Sequence, residues 1–417
     1  MSQSKSGQSE SGTTVSPRGA AEVQEFYERY PYPPPTDDLE RYRQRWQDPQ
    51  RRRADFHLFW PRKSYREDYS ILIAGCGTSQ AAKYALRWPA ARVTGIDFSE
   101  TSVRHTAHLK NTYQLDNLEV DQLPLEQARD LGTSFDQIVC TGVLHHLADP
   151  SAGLSALRSV LKADGVMHLM VYAPYGRSGV YMLQEFCRRV GVRATDSGIR
   201  DLIAALGALP AGHPLERLLR ESPDFRSAGA LADALLHPQD RAYSVPQLFE
   251  FLARGGLTFG RWIRQAPYSI YCGVMARVST MLRMAALTER DQYAAVELFR
   301  GTQLRHSVVV YRDDCPQSQR ITFAGDEWLR YVPIRAPDTI SVRERLPAGS
   351  VAVLINRTHT YADVYLPINA AERRLLESFD GRRTIGELLP AQAPHDEAKA
   401  FFERLWWHDQ IVLDDSR

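Results

Sequence analysis

The sequence has no excess of charge of either sign, since its 417 residues include 51 lysines and arginines and 50 aspartates and glutamates. A chain without a net field does not attract a polyanion, so nucleic acid is not expected as a partner. No apolar run approaches the roughly 18 to 20 residues of a membrane span, so a membrane is not expected either. The first 18 residues are rich in Ser, Gly, Gln and Thr without an apolar core, which predicts a disordered tail and not a signal peptide.

Cysteine is sparse and unpaired in the sequence. The five cysteines form no CxxC pair and no zinc spacing, so neither a disulfide framework nor a zinc site is predicted. We interpret them as reduced thiols of a cytoplasmic protein. No metal centre is predicted, because the neighbouring residues His145 and His146 have no third ligand at a sensible spacing.

What the sequence does contain is a glycine turn between an apolar strand and a helix. Residues 71–74 are apolar, and Gly75 and Gly77 follow them. Glycine at these two positions permits positive φ and lets a ligand approach the backbone closely, so a nucleotide-like ligand is predicted here. A dinucleotide fingerprint would place a third glycine at position 80, where this chain has Gln80, and this disfavours NAD.

Polar residues follow the next strands at corresponding positions. A strand over 92–97 ends in Asp97, whose two carboxylate oxygens can accept both hydroxyls of a ribose. A third strand leads into Gln122 and Leu123, where a polar side chain or a backbone amide could meet an adenine edge. A fourth strand ends at Thr141, just before the two histidines.

The segments GCGTSQ, GIDFSE, FDQIVCTGVLHHLADP and LKADGVMHLMVYAP together resemble the class I S-adenosylmethionine-dependent methyltransferases over residues 65 to 175. Four motifs in order at βαβ spacing make this resemblance specific. It implies an α/β fold with a Rossmann-like seven-stranded sheet, mostly parallel with an antiparallel last strand. It also implies S-adenosylmethionine as the cofactor and S-adenosylhomocysteine as the product. The implied cofactor site consists of Ala74, Gly75, Cys76, Gly77, Gln80, Asp97, Phe98, Ser99, Gln122, Leu123, Thr141, Gly142 and Val143.

The chain is predicted to divide into six segments, one of which is the cofactor-binding core. A helical insertion beyond the carboxyl edge of strand five is well placed to roof a substrate pocket. The arginines and aromatics between residues 41 and 60 predict a solvated amphipathic helix rather than a nucleic-acid surface. The segments are a disordered tail (1–18), a helical and proline-rich leader (19–64), the core (65–178), the insertion (179–256), the completion of the sheet (257–314) and a C-terminal unit (315–417).

The C-terminal unit is predicted to contain strands over 351–356, 361–366 and 411–413 and helices over 369–379, from 384, and over 395–408. This order resembles a small winged-helix α+β module. Its third helix is not basic, so DNA binding is not expected. A homodimer contact or recognition of a substrate carrier fits the unit better.

Methyl transfer from a sulfonium needs alignment and dehydration of the nucleophile more than it needs a triad or a metal. His145 is the candidate general base, with a structural histidine as the alternative, and His146 is expected to face the other way. The leader tyrosines could form a lid, or they could only pack the leader against the core. The candidate substrate contacts are Tyr27, Tyr30, Tyr32, His146, Tyr172, Tyr175 and Arg177.

The predicted function is therefore transfer of a methyl group to a small metabolite or natural product, or to a protein or peptide side chain. One alternative is an NAD(P)- or nucleotide-sugar-dependent oxidoreductase, which can also present two glycines and an acid about 20 residues later. The other is a non-catalytic scaffold that binds S-adenosylmethionine, because an intact cofactor site does not prove turnover.

Overall fold

The computed structural model describes residues 17–31, 33–222, 225, 227–315, 319–390 and 394–417. Most of the predicted tail and Tyr32 lie outside these residues, while Pro17 already begins the first helix. No helix in the described ranges combines the length and apolar character that a membrane crossing requires.

A seven-stranded sheet forms the centre of the molecule, with the strand order β3-β2-β1-β4-β5-β7-β6. β7 runs antiparallel to both of its neighbours, and the other pairs are parallel. The predicted sheet is confirmed, although β5 begins four residues earlier than expected, where Leu161 pairs with Phe135 across a bulge. The strands are β1 (Ser70–Ala74), β2 (Arg92–Asp97), β3 (Leu118–Gln122), β4 (Phe135–Thr141), β5 (Leu161–Tyr172), β6 (Leu257–Trp262) and β7 (Arg305–Arg312).

The central strands are apolar on both faces because helices cover both faces of the sheet. Every residue of β1 is buried, and its side chains alternate between two apolar clusters. The helices of the core are α4 (Gln80–Arg87), α5 (Glu100–Tyr113), α6 (Pro150–Ser159), α11 (Val245–Arg254), α12 (Met281–Ala285) and α13 (Glu289–Arg300).

The leader and the insertion are helical, as their patterns predict. The leader contains α1 (Pro17–Arg29), α2 (Glu40–Trp46) and α3 (Pro49–Phe59). The insertion contains α7 (Ser178–Val190), α8 (Asp196–Gly207), α9 (Glu216–Glu221) and α10 (Ala228–Leu235). α1 packs against the insertion through Phe26 and Tyr30, which cluster with Ile199 of α8 and Ala232 of α10.

The C-terminal unit has its own apolar cluster between helices and short strands. Its third helix is followed by one strand, β12, which pairs with β8 ahead of the helices, and the winged-helix resemblance stays a prediction. The elements are β8 (Val332–Arg335), β9 (Thr339–Val342), β10 (Ala352–Asn356), β11 (Leu366–Ile368), α14 (Ala370–Glu377), α15 (Ile385–Leu388), α16 (His395–Trp407) and β12 (Ile411–Asp414).

The strand predicted over 361–366 is wrong, because this stretch is a loop that reaches β11 only at Leu366. Asp363 accepts hydrogen bonds from Arg300 of the core at 2.9 Å and from the backbone of Val274 at 2.8 Å. These bonds hold the loop against the core instead of letting it pair along β10.

Arg41, Arg43 and Arg45 are exposed, as predicted for a solvated helix face, whereas Arg51 and Arg53 are partly buried against the C-terminal unit. Arg51 lies 3.0 Å from Asp338, and Arg53 lies 2.8 Å from Asp414. Among the described residues, the large apolar side chains that remain exposed all precede residue 300, on helices such as α7 and α13. A homodimer contact through the C-terminal unit therefore stays a prediction that no apolar patch supports.

Candidate functional site

The glycine turn after β1 has the backbone that its sequence predicts. Gly75 has φ of +70° and Gly77 has φ of +53°, both in the left-handed region. A Cβ atom on Gly75 would lie 2.2 Å from Cγ2 of Val143, which follows β4. The turn thus passes so close to the β4 loop that a side chain at position 75 cannot fit without displacing that loop.

Asp97, at the end of β2, holds this turn from the neighbouring strand. Its Oδ2 accepts a hydrogen bond from the backbone N–H of Gly77 at 2.8 Å, and its Oδ1 accepts one from Ser99 at 3.0 Å. Burial raises the pKa of the carboxyl to about 6. Each carboxylate oxygen keeps a further lone pair, so both can still accept a ribose hydroxyl.

Side-chain hydrogen bonds connect the predicted cofactor segments to one another and to the leader. The Gln80 side chain donates to Oγ1 of Thr141 at 2.8 Å, which joins the start of α4 to the end of β4. The backbone oxygen of Phe98 accepts from Gln122 at 3.2 Å and from Gln24 of the leader at 3.1 Å. The fold thus brings the ends of β2, β3 and β4 together around one space.

A cavity of about 1360 Å³ occupies this space. Ala74 and Ser99 do not line it, because Ala74 lies inside β1 and the Ser99 hydroxyl caps α5. Ser79 and Ser102 line the cavity although neither is among the predicted cofactor residues. The predicted cofactor residues that line it are Gly75, Cys76, Gly77, Gln80, Asp97, Phe98, Gln122, Leu123, Thr141, Gly142 and Val143.

The leader covers this part of the cavity with α1. Tyr27 lines the cavity and donates its hydroxyl to Oδ1 of Asp233 in α10 at 3.0 Å. Glu28 accepts from the backbone N–H of Thr101 at 3.1 Å, at the start of α5. Tyr30 does not line the cavity, and its ring packs on the insertion, as the alternative to a lid predicts.

The two histidines after β4 point in directions opposite to those expected from the sequence. His146 lines the cavity, whereas His145 does not and its ring centre lies 4.0 Å from that of Tyr172. The predicted orientation is wrong because Leu144–His146 form a 3-10 turn, in which successive side chains rotate by roughly 120°. Burial, followed by the nearby His146, Arg177 and His237, holds the pKa of His145 well below its usual range.

The orientation of the His146 ring is fixed by a backbone carbonyl. Its Nδ1 lies 2.7 Å from the backbone oxygen of Gln239 and must carry the proton, because a carbonyl only accepts. The neutral ring therefore has its lone pair on Nε2, on a residue that lines the cavity. A histidine held in this way can accept a proton from a bound group.

The fold brings a carboxylate close to the histidine pair, since one ligand atom each of His145, His146 and Asp240 lie within 4.8 Å of one another. One ligand atom each of His146, Asp233 and His237 lie within 4.8 Å of one another, a combination that suits a transition metal. However, Nδ1 of His237 accepts from the backbone N–H of Gln239 at 3.0 Å, so the neutral ring carries its proton on Nε2. In this tautomer the ring of His237 offers no free lone pair and its Nε2 has no hydrogen-bond partner, so the three residues are not arranged as a formed metal site.

The three predicted substrate contacts at the end of β5 all line the cavity. The Arg177 guanidinium lies 3.5 Å from the centre of the Tyr172 ring and 3.4 Å from Oδ2 of Asp240. Tyr175 is 41% exposed. From here the cavity continues across one face of the sheet, past His168 and Met170 of β5 and Ser307 of β7.

This strand order, with the antiparallel β7, the glycine turn after β1 and the acid at the end of β2, defines a class I S-adenosylmethionine-dependent methyltransferase domain. Residues 72–167 match the family model described as "Methyltransferase domain", so S-adenosylmethionine is the cofactor that this domain uses.

Sequence relatives align with part of this chain. An uncharacterized protein of Synechococcus sp., syc1184_c, is 34% identical over 249 residues, which are 57% of this chain and 58% of that protein. The ubiquinone biosynthesis O-methyltransferase of Haemophilus ducreyi is 28% identical over 136 residues, 30% of this chain and 57% of that protein. The chain thus spans less than two thirds of the length of these relatives.

One solved structure resembles the fold over nearly the whole chain. PKMT2 from Rickettsia typhi is 14% identical with a TM-score of 0.60, and the match covers 93% of this chain and 77% of that protein. Its complex with AdoHcy gives a TM-score of 0.59. At this identity the similarity concerns the fold, and it extends beyond the family-model match at residues 72–167.

Proposed function

We propose that the protein transfers a methyl group from S-adenosylmethionine to an acceptor bound beside β5, under the insertion. The observation that carries this proposal is the continuity of the cavity. It runs without interruption from Gly75 and Asp97 to Tyr172 and Arg177. Its volume of about 1360 Å³ exceeds the roughly 300 to 1,000 Å³ of common ligand sites, so it has room for an acceptor beside the cofactor.

The chemistry is a displacement in which the acceptor atom attacks the methyl carbon and the sulfur leaves as a neutral thioether. The protein contributes mainly alignment of the two reactants and exclusion of water. The glycine turn and Asp97 position the cofactor, and α1 with the insertion closes the space above it. Nε2 of His146 is positioned to take the proton of an oxygen or nitrogen acceptor, and a base of this kind typically contributes a factor on the order of 100 to 10,000.

We further propose that the acceptor is a small molecule. Tyr27 of α1, Asp233 of α10 and His237 surround one side of His146, and each of these side chains is at least half buried. An acceptor must therefore enter a roofed space, which suits a metabolite better than a side chain presented on a folded protein. A protein or peptide side chain is the competing acceptor.

The test is transfer of label from methyl-tritiated S-adenosylmethionine to two fractions of a cell extract, one of molecules below 3 kDa and one of proteins. We expect label in the small-molecule fraction. His146→Gln should lower this transfer about 100-fold without changing the affinity for S-adenosylhomocysteine, whereas His108→Gln, on the exposed face of α5, should change neither. Label in the protein fraction would overturn the small-molecule proposal, and a chain that binds no S-adenosylmethionine would overturn the proposed function itself.

A further inference from the structure

The cavity has a second, outer end that the proposed transfer site does not use. This end lies between the sheet edge at β6 and β7 and the loop of the C-terminal unit that follows β10. Its lining includes Arg264, Arg305, His359 and Tyr361. We call it the outer subsite.

The strand arrangement places the two arginines of the outer subsite side by side. Arg264 comes two residues after the end of β6, and Arg305 begins β7. The strands are antiparallel neighbours, and the N–H of Ile263 donates to the backbone oxygen of Ser307 at 2.9 Å. Both guanidinium groups therefore start from the same edge of the sheet as Tyr172, which is the register partner of Arg305 on β5.

Neither arginine has a carboxylate within 4.0 Å in the described part of the chain. The other arginines that line the cavity do: Arg87 pairs with Asp55, Arg177 with Asp240 and Arg217 with Glu221. Burial and then the nearby charge of Arg305 lower the pKa of Arg264, while the more distant Asp409 and Asp338 oppose this lowering. The fold thus keeps two exposed guanidinium groups together at the outer end of the cavity without a contacting carboxylate, which leaves their donors available to an anion.

Further donors and positive charges surround the pair. Both ring nitrogens of His359 are buried without a hydrogen-bond partner, and burial lowers its pKa to about 4, so the neutral ring can donate one N–H. Arg264 also lines a neighbouring opening together with Arg45, Arg51 and Arg357. The carboxylate that lines this opening, Asp338, is already shared by Arg45 and Arg51.

We infer that the outer subsite binds an anionic group, a carboxylate or a phosphate, at the far end of the methyl acceptor. Guanidinium forks match the geometry of both anions, and charge-assisted hydrogen bonds are the stronger ones. Strands lie roughly 4.8 Å apart, so the sheet places β7 about 10 Å and β6 about 14 Å from β4. The acceptor is therefore an organic acid or phosphate ester whose anionic group lies roughly 10 to 14 Å from the atom that receives the methyl group. This inference rests on the proposed function, which places methyl transfer at the inner end of the cavity.

The test is calorimetric titration of the full chain, saturated with S-adenosylhomocysteine, with inorganic phosphate or with succinate at constant ionic strength. We expect at least one of these two anions to bind. The anion that binds more tightly indicates whether the acceptor carries a phosphate or a carboxylate at this end. The double variant Arg264→Gln/Arg305→Gln should weaken this binding at least tenfold. Arg254→Gln is the matched control, because Arg254 is exposed at the end of α11, away from the cavity.

A thermal-unfolding measurement checks the same inference independently. In low-salt buffer without anions, the double variant should melt at a higher temperature than the wild type, because the repulsion between Arg264 and Arg305 is removed, and phosphate or succinate should raise the Tm of the wild type only. Absence of anion binding, or equal anion binding by the double variant, would overturn the inference. If S-adenosylhomocysteine still binds in that case, the proposed function stays intact. Loss of S-adenosylhomocysteine binding in the wild type would instead overturn the proposed function.

Discussion

At the scale of single residues, Asp97 has two functions in the site. It fixes the backbone of the glycine turn through Gly77, and it presents the same oxygens to the cavity. Its location could be predicted from the sequence, since an acid at the end of the second strand follows from the βαβ spacing. The hydrogen bond between Asp97 and Gly77 could not be predicted, because this bond depends on how closely the two strands approach each other.

The raised pKa of Asp97 predicts that cofactor binding depends on pH. Above about pH 6 the carboxylate is ionised and accepts hydroxyl donors, and below this value it is protonated and loses an acceptor. The affinity for S-adenosylhomocysteine should therefore fall as pH decreases from 7.5 to 5. Because folding favours the protonated form, Asp97 should destabilise the free protein most at high pH and less as pH falls through 6.

Asp97→Asn is the control for this titration. It should bind S-adenosylhomocysteine at least about tenfold more weakly at pH 7.5, since it loses charge-assisted hydrogen bonds, and its affinity should change little between pH 7.5 and 5. A wild-type affinity that stays constant over this range would show that Asp97 does not bind the cofactor through its ionised form.

Gly75→Ala tests the closeness of the glycine turn. The added Cβ meets Val143, and φ of +70° is strained for alanine, so we expect a loss of about 1 to 3 kcal/mol in the free energy of unfolding. The affinity for S-adenosylhomocysteine should fall at least tenfold. Gly207→Ala, at the end of α8 with open space around the position, should change neither quantity in urea unfolding and calorimetry.

The histidines show where prediction from sequence ends at this scale. His145 and His146 are adjacent, and a three-residue turn decides which of them reaches the cavity. The carbonyl that fixes the His146 tautomer lies 93 residues further along the chain. Neither fact produces a local pattern in the sequence. The position of the histidine pair could therefore be predicted, but the orientation of the two side chains could not.

At the scale of elements, α1 and the insertion helices can be predicted from their apolar periodicity. The contact between α1 and the insertion cannot. Tyr27 of α1 and Asp233 of α10 join the leader to the insertion above the cofactor. The hydrogen bond satisfies one oxygen of a buried carboxyl, whose pKa is raised by burial. The proposed lid thus consists of both elements and not of the leader alone.

Tyr27→Phe should open this lid. Leaving a buried partner without its donor costs about 1 to 3 kcal/mol, which should appear as lower stability in urea. We also expect faster dissociation of S-adenosylhomocysteine in stopped-flow measurements. Tyr175→Phe is the matched control, because that side chain is 41% exposed, and equal effects of the two substitutions would argue against a lid.

At the scale of the whole molecule, the C-terminal unit closes the outer end of the cavity. Asp409 connects the two parts, because it accepts from the backbone N–H of Ala266 at 3.0 Å and lies 3.3 Å from Arg261. The βαβ pattern made the core predictable from sequence. The conformation of the loop with His359 and Tyr361 was not predictable from sequence. Its sequence alternates like that of a strand, and its hydrogen bonds to the core decide its conformation.

Asp409→Asn should weaken the attachment of the C-terminal unit. It leaves the largely buried Arg261 without its charged partner, which typically costs about 3 to 5 kcal/mol. Calorimetric unfolding should show a lower Tm, while S-adenosylhomocysteine affinity changes less than twofold. Asp116→Asn, at an exposed position beside β3, should leave the Tm unchanged, and an unchanged Tm in Asp409→Asn would show that the unit does not depend on this contact.

The most direct test of the central claim is calorimetric titration of the purified protein with S-adenosylmethionine, S-adenosylhomocysteine and NAD at pH 7.5. We predict micromolar binding of the first two at one site per chain, no binding of NAD, and at least about 100-fold weaker binding in Asp97→Ala. Binding of NAD without binding of either sulfur compound would contradict the account and indicate an oxidoreductase-like chain.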